Sequence, residues 1–184
     1  MNPSEATTLE EAGRPGGEAP HRGADSQGLM GGHEAMKWAL AASVAAASLA
    51  VDLLAKRLVR AAGFDSYRVL PFLSIDRQVN RGVAFGLFWE RYGLILAAAF
   101  VALGVILLYL RLETRPILAG VAGGLLLGGS LGNLWERVTK GEVTDFLRIP
   151  HYPTFNLADV FIVAGVILVA VSLLWPPPKE ERGE

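Results

Sequence analysis

Four stretches of the chain are apolar nearly all round and close to membrane-spanning length: about 35–54, 92–110, 116–135 and 155–175. A bilayer core about 30 Å thick is crossed by about 20 helical residues. The absence of a one-sided stripe fits lipid or bundle burial better than an amphipathic surface helix. The pattern predicts an all-α membrane protein with four transmembrane helices; the competing reading, a soluble bundle of buried helices, would need four such runs in one short chain. Pro116 suits a helix start, and Pro176-Pro177-Pro178 stops the last helix. Between the first and second helices, residues 67–88 are β-prone and partly alternating, interrupted by Pro71, and predict a small sheet or edge strands at the membrane surface.

Residues 1–34 mix Gly, Pro, Ser and Glu with few large apolar side chains, so they are expected to form a disordered tail. Residues 35–175 then form the four-helix domain and 176–184 a charged C-terminal tail. The N-terminal tail is acidic where a secretory signal peptide would be basic, so no cleavage is expected. In the third helix Gly120, Gly124, Gly128 and Gly132 recur every fourth position and share one face, where a neighbouring helix can approach to backbone contact. The same stretch contains Gly128-x-Ser130-x-Gly132, the pattern of a hydrolase nucleophile elbow, but no strand precedes it. A serine–lysine dyad using Lys56 or Lys140 is the remaining version of that reading.

Composition narrows the chemistry. The 184 residues are 52% hydrophobic and 19% charged, in keeping with a membrane protein of one domain. Seventeen basic against 18 acidic residues leave a net charge of -1 and no electrostatic case for nucleic acid. Zero cysteines exclude a disulfide scaffold, a thiolate metal site and a cysteine nucleophile. Of three histidines, His21 and His33 lie in the tail and only His151 could serve a buried site, so no metal and no cofactor is expected.

Four crossings put the end of the first helix, the end of the third and the start of the fourth on one side of the membrane. Asp52 and Lys56 end the first helix, Asn80 and Arg81 follow it, and Asn133, Glu136 and Arg137 end the third. Asp145 lies in the connection to Asn156 and Asp159, which start the fourth. Ionisable groups at the hydrocarbon boundary are costly, so their convergence is a functional signal. Singly, each has a plainer reading. Asp52 and Lys56 suit an i,i+4 ion pair with a snorkelling lysine; Asn156 and Asp159 suit a helix cap; Asp145 suits a solvated loop; Arg137 suits an interfacial anchor. None of these explains why all appear together, with two aspartates joined by a loop whose Pro150 and Pro153 let it fold back.

The motifs Asp52-Leu-Leu-Ala-Lys56, Asn80-Arg-Gly82-Val-Ala-Phe-Gly, Gly129-Ser-Leu-Gly-Asn133-Leu-Trp-Glu-Arg137, Gly141-Glu-Val-Thr-Asp145-Phe and Phe155-Asn156-Leu-Ala158-Asp159 together resemble the lipoprotein signal peptidases (signal peptidase II), intramembrane aspartic proteases of bacteria. The resemblance spans about 38–175. It implies that Asp145 and Asp159 are a catalytic dyad and that Asp52, Lys56, Asn80, Gly82, Asn133, Arg137, Asn156 and Ala158 shape the site and hold substrate. It also implies a prolipoprotein substrate whose diacylglyceryl cysteine lies just after the cut, sensitivity to the cyclic peptide globomycin, and a monomer among membrane lipids. The implied location is the bacterial inner membrane, with cytoplasmic termini and the site and β-rich segment near the outer face. The chain departs from the family pattern at Glu136, where aspartate is common, at Val83, where alanine is usual, and in a shorter loop between the aspartates.

Two carboxylates held close tend to share one proton, one activating water while the other polarises the scissile carbonyl. Asp159, near a helix N-terminus, is expected to be the ionised member and Asp145 the acid. The rival from another class is a small proton-coupled carrier, but such proteins place acids mid-helix or pair inverted repeats, and neither pattern occurs here. A structural subunit would leave the converging polar groups without a role. Charge alone points the other way on orientation: seven Lys and Arg fall on the tail-bearing side against ten on the site-bearing side, which by the positive-inside rule would make the site cytoplasmic.

Overall fold

The computed structural model describes residues 22–63, 66–81 and 92–175. In chain order these form α1 (Arg22–Ala61), β1 (Ser66–Leu70), β2 (Leu73–Asn80), α2 (Tyr92–Leu112), α3 (Pro116–Lys140), β3 (Val143–Arg148) and α4 (Leu157–Leu174). Among the described residues all four helices are long and apolar enough to cross a membrane, as the hydrophobic pattern predicts.

The central helix is α3, which packs against α1, α4 and α2. Its glycines explain why. A Cβ at Gly128 would sit 1.9 Å from Ser48 Oγ and 2.6 Å from the Ala45 carbonyl oxygen, and one at Gly124 would sit 2.8 Å from the Ala41 carbonyl oxygen. Gly120 faces Leu40 and Gly132 faces the Asp52 carboxylate. The four-residue stripe is thus the seat of α1, with the two backbones in contact. Gly129, on another face, meets the Ala158 carbonyl oxygen of α4. Ala41, Ile106, Leu110, Ala119 and Leu126 fill the core between the helices. By contrast α2 and α4 leave large apolar side chains exposed, such as Val101, Leu112 and Leu173, as expected of helices that face lipid. Ser130 lies inside α3, so the elbow-like motif is a packing motif without the strand-to-helix turn that a nucleophile elbow needs.

At the end away from the polar cluster, α2 and α3 are joined by a tight turn. Arg115 holds the Glu113 carboxyl down at about 2, chiefly by direct hydrogen bonds, and also donates to the Ser172 carbonyl near the end of α4. Pro116 occupies the first turn of α3, where its missing N–H costs nothing.

Two boundaries differ from expectation. The first helix begins at Arg22 rather than near Ala35, so residues 22–34 of the expected tail are helical; Lys37 pairs with Glu34 and donates to the Glu113 carbonyl, tying this turn to the bundle. It also continues past Leu54 to Ala61, because no breaker intervenes before Gly63. At about 1.5 Å per residue such a helix outspans the hydrocarbon core. The expected C-terminal tail, 176–184, lies outside the described residues, as do Gly82 and Val83.

The sheet is the second difference. Its hairpin β1–β2 is where the alternating pattern put it, with Pro71 in the turn rather than in a strand. The third strand comes from the connection between α3 and α4: β3 pairs antiparallel with β2, giving the order β1-β2-β3. Asp145 therefore sits in a strand, not in a solvated loop. Its register partner is Gln78, two residues before Asn80.

Candidate active site

Each side chain of the polar cluster arrives on a defined element. Helix α3 ends at Gly141, whose left-handed conformation (φ 73°) caps the Arg137 carbonyl and turns the chain into β3. Strand β3 then carries Asp145 back against the bundle, where it is 3% exposed. The proline-flanked loop does fold back: Phe155 bridges Leu147 through paired backbone hydrogen bonds of 2.7 and 3.0 Å. This brings Asn156 to the start of α4. There Asn156 and Asp159 form a reciprocal capping box, each side chain bonded to the other's backbone N–H at 3.1 Å.

The plain reading of that pair is correct, and it is also what builds the site. While its Oδ1 caps α4, the Asn156 amide donates to Asp145 Oδ1 at 2.7 Å and to Asn133 Oδ1 at 3.1 Å. Asn133 in turn donates to Asp159 Oδ1 at 2.8 Å, and Asn80 donates to Asp145 Oδ2 at 2.8 Å. Both aspartates are thus bound to one asparagine, Asp145 through its side chain and Asp159 through its backbone. Burial pushes the Asp145 carboxyl up to about 6, with the Asp159 charge adding to the rise and the Asn80 and Asn156 amides opposing it.

Behind this layer lies a buried ionic one. Asp52 and Lys56, both fully buried, pair at 2.7 Å. The expected i,i+4 pair exists, but Lys56 does not snorkel: its ammonium turns inward to donate to Asn133 Oδ1 at 3.0 Å and lies 3.7 Å from Glu136. The reason is the company on offer: one hydrogen-bond acceptor, Asn133, and two carboxylates, Asp52 and Glu136, offset the cost of burying the ammonium charge. Asp52 Oδ1 also accepts from the Ala158 backbone N–H at 2.9 Å. Ala158 is fully buried at the α3–α4 contact, against Gly129 and Gly132.

The residue that sequence reasoning undervalued is Glu136. It is fully buried, bonds Lys140 at 2.6 Å and Arg60, and accepts from the Thr144 N–H at 2.8 Å. It thereby fastens β3 one residue before Asp145. Arg60 also donates to Thr144 Oγ1 at 2.8 Å. The available signal was its position in the helix end beside Asn133 and Arg137; Arg60 and Thr144 carry no such signal. Arg137 lies half-buried in the last turn of α3. Among the described residues no group of three or more His, Cys, Asp or Glu is placed to hold a metal.

Residues 44–175 match the family model of signal peptidase (SPase) II. The chain belongs to that family. Similar proteins include the lipoprotein signal peptidases of Symbiobacterium thermophilum, 37% identical over 71% of this chain and 91% of its own, and of Geobacillus thermodenitrificans, 34% identical over 84% and 100%. That of Acinetobacter baumannii is 37% identical over 59% of this chain, and the match spans 66% of the relative's length. Among solved structures, one described as a bacterial membrane enzyme determined by the in meso method at 2.3 Å superposes with a TM-score of 0.70. It is 28% identical, over 78% of this chain and 93% of that one. This signal peptidase II family member is a multi-pass membrane protein, and the comparisons lend the carrier alternative no support.

Proposed function

We propose that the chain is an aspartic endopeptidase that removes the signal peptide from diacylglyceryl-modified prolipoproteins by cutting before the lipidated cysteine. The observation that carries the reading is the tethering of Asp145 and Asp159 to Asn156, which keeps two carboxyl groups of unlike surroundings at one end of the bundle. Asp145, with its raised pKa, is the acid. Asp159, at the N-terminus of α4, is the base. Asp159 takes a proton from water as the oxygen attacks the scissile carbonyl, and Asp145 gives its proton to the carbonyl oxygen. The resulting gem-diol collapses as Asp159 passes the proton it took to the amine nitrogen, which leaves, while Asp145 regains a proton from a diol hydroxyl, with no covalent enzyme intermediate. Asn80, Asn133 and Asn156 hold the carboxyl groups in place, and in this reading Arg137, in the last turn of α3, meets a substrate carbonyl or lipid ester.

A cleft at the edge of the bilayer suits such a substrate, because its acyl chains remain in lipid while the peptide bond reaches the polar layer. The same reading puts the protein in the bacterial inner membrane as a monomer, with cytoplasmic termini, its site near the outer face, and globomycin as an inhibitor. The test is cleavage of a lipidated prolipoprotein in detergent. Asp145→Asn and Asp159→Asn are each expected to insert and fold yet lose turnover, and near wild-type cleavage by either variant would overturn the dyad.

A further inference from the structure

Outside the site, α1 and α3 enclose a groove of about 510 Å³, within the range of small-molecule sites. Leu53 and Leu54 line it from α1 and Trp135 from α3, while Arg57, Arg60 and Lys140 line its upper part. Both helices end on the site-bearing side of the membrane, so in each the apolar residues lie about one turn deeper than the basic ones. A slot that is apolar below and cationic above has the polarity of a phospholipid standing in that leaflet.

The charges do not cancel internally. Among the described residues, the three cations Lys56, Arg60 and Lys140 share two carboxylates, Asp52 and Glu136. Arg57 is exposed and takes part in no ion pair among the described residues. Arg60 bonds Glu136 and Thr144 through one terminal nitrogen, and Lys140 bonds Glu136 once, so both keep donors for another oxygen anion.

We propose that this groove binds an anionic glycerophospholipid, its phosphodiester between Arg57, Arg60 and Lys140 and one acyl chain along Leu53, Leu54 and Trp135. The diacylglyceryl group of the proposed substrate carries no charge and would leave these cations unanswered, so the groove is a separate lipid site. Because Glu136 joins Arg60 and Lys140 to the backbone beside Asp145, an occupied site braces β3.

The test uses the full chain reconstituted in nanodiscs, with tryptophan fluorescence quenched by phosphatidylglycerol or phosphatidylcholine bearing brominated acyl chains. Phosphatidylglycerol is expected to reach half-quenching at about fivefold lower mole fraction, the contribution of a single cation near an anionic surface. Arg57→Gln should weaken this preference, with Arg60 and Lys140 left to hold the remainder, without changing the melting temperature. Trp135→Phe should remove the difference between the lipids. Equal quenching by both lipids in the wild type would overturn the proposal, as would a preference undiminished in Arg57→Gln or one that persists in Trp135→Phe.

Discussion

At the scale of single residues, burial sets the behaviour of the ionisable groups. The Asp145 carboxyl, normally near 3.8, is raised to about 6 by desolvation. Between these values the unfolded chain has released the proton that the folded chain still holds, so stability falls as pH rises through this window and levels off above about 6. The loss is on the order of 3 kcal/mol. Thermal midpoints in detergent should therefore decline from about pH 4 to about pH 6 in the wild type, and Asp145→Asn should flatten that decline. With Asp145 as acid, kcat/KM for a lipidated peptide should also fall as pH rises through about 6; an unchanged profile would remove Asp145 from the role of acid. Lys56 gives a second expectation. Its loss in Lys56→Met strands Asp52 in the interior, at a cost of about 3–5 kcal/mol, which a melting curve would register as a large drop in midpoint.

At the scale of elements, the glycine stripe separates two kinds of glycine. Gly128→Ala sets a methyl group against the Ala45 carbonyl of α1, an atom that moves only with its helix. We expect it to cost about 1–3 kcal/mol and to reduce turnover, since α1 also carries Asp52 and Lys56. Gly104→Ala meets nothing within 4 Å and should be neutral or slightly stabilising; a similar loss in both variants would mean that close approach is not the cause. The helices and this stripe were legible because spacing along a helix fixes which residues share a face. Strand β3 was not, because Val-Thr-Asp-Phe-Leu pairs with a strand more than sixty residues earlier, and such a pairing leaves no local periodicity. The same holds for Arg60 and Thr144, which matter only through Glu136.

At the scale of the whole molecule, four crossings and one sheet place every group of the proposed site at one end of the bundle. Which way that end faces can be measured cleanly, because the chain has no native cysteine. An impermeant maleimide applied to intact cells should label Arg77→Cys in β2, and should label Thr114→Cys in the α2–α3 turn only after permeabilisation. The opposite pattern would favour the orientation that the lysine and arginine count suggests. The number of crossings, the shared side of the polar residues and the face on which α3 receives α1 were all determined by the sequence, because each follows from helix length or helical spacing. Tertiary structure alone decided that Lys56 turns inward, that Glu136 fastens β3, and that Asn156 tethers both aspartates. Those contacts join residues distant along the chain, and their stability depends on the low-dielectric interior that exists only once the helices have packed.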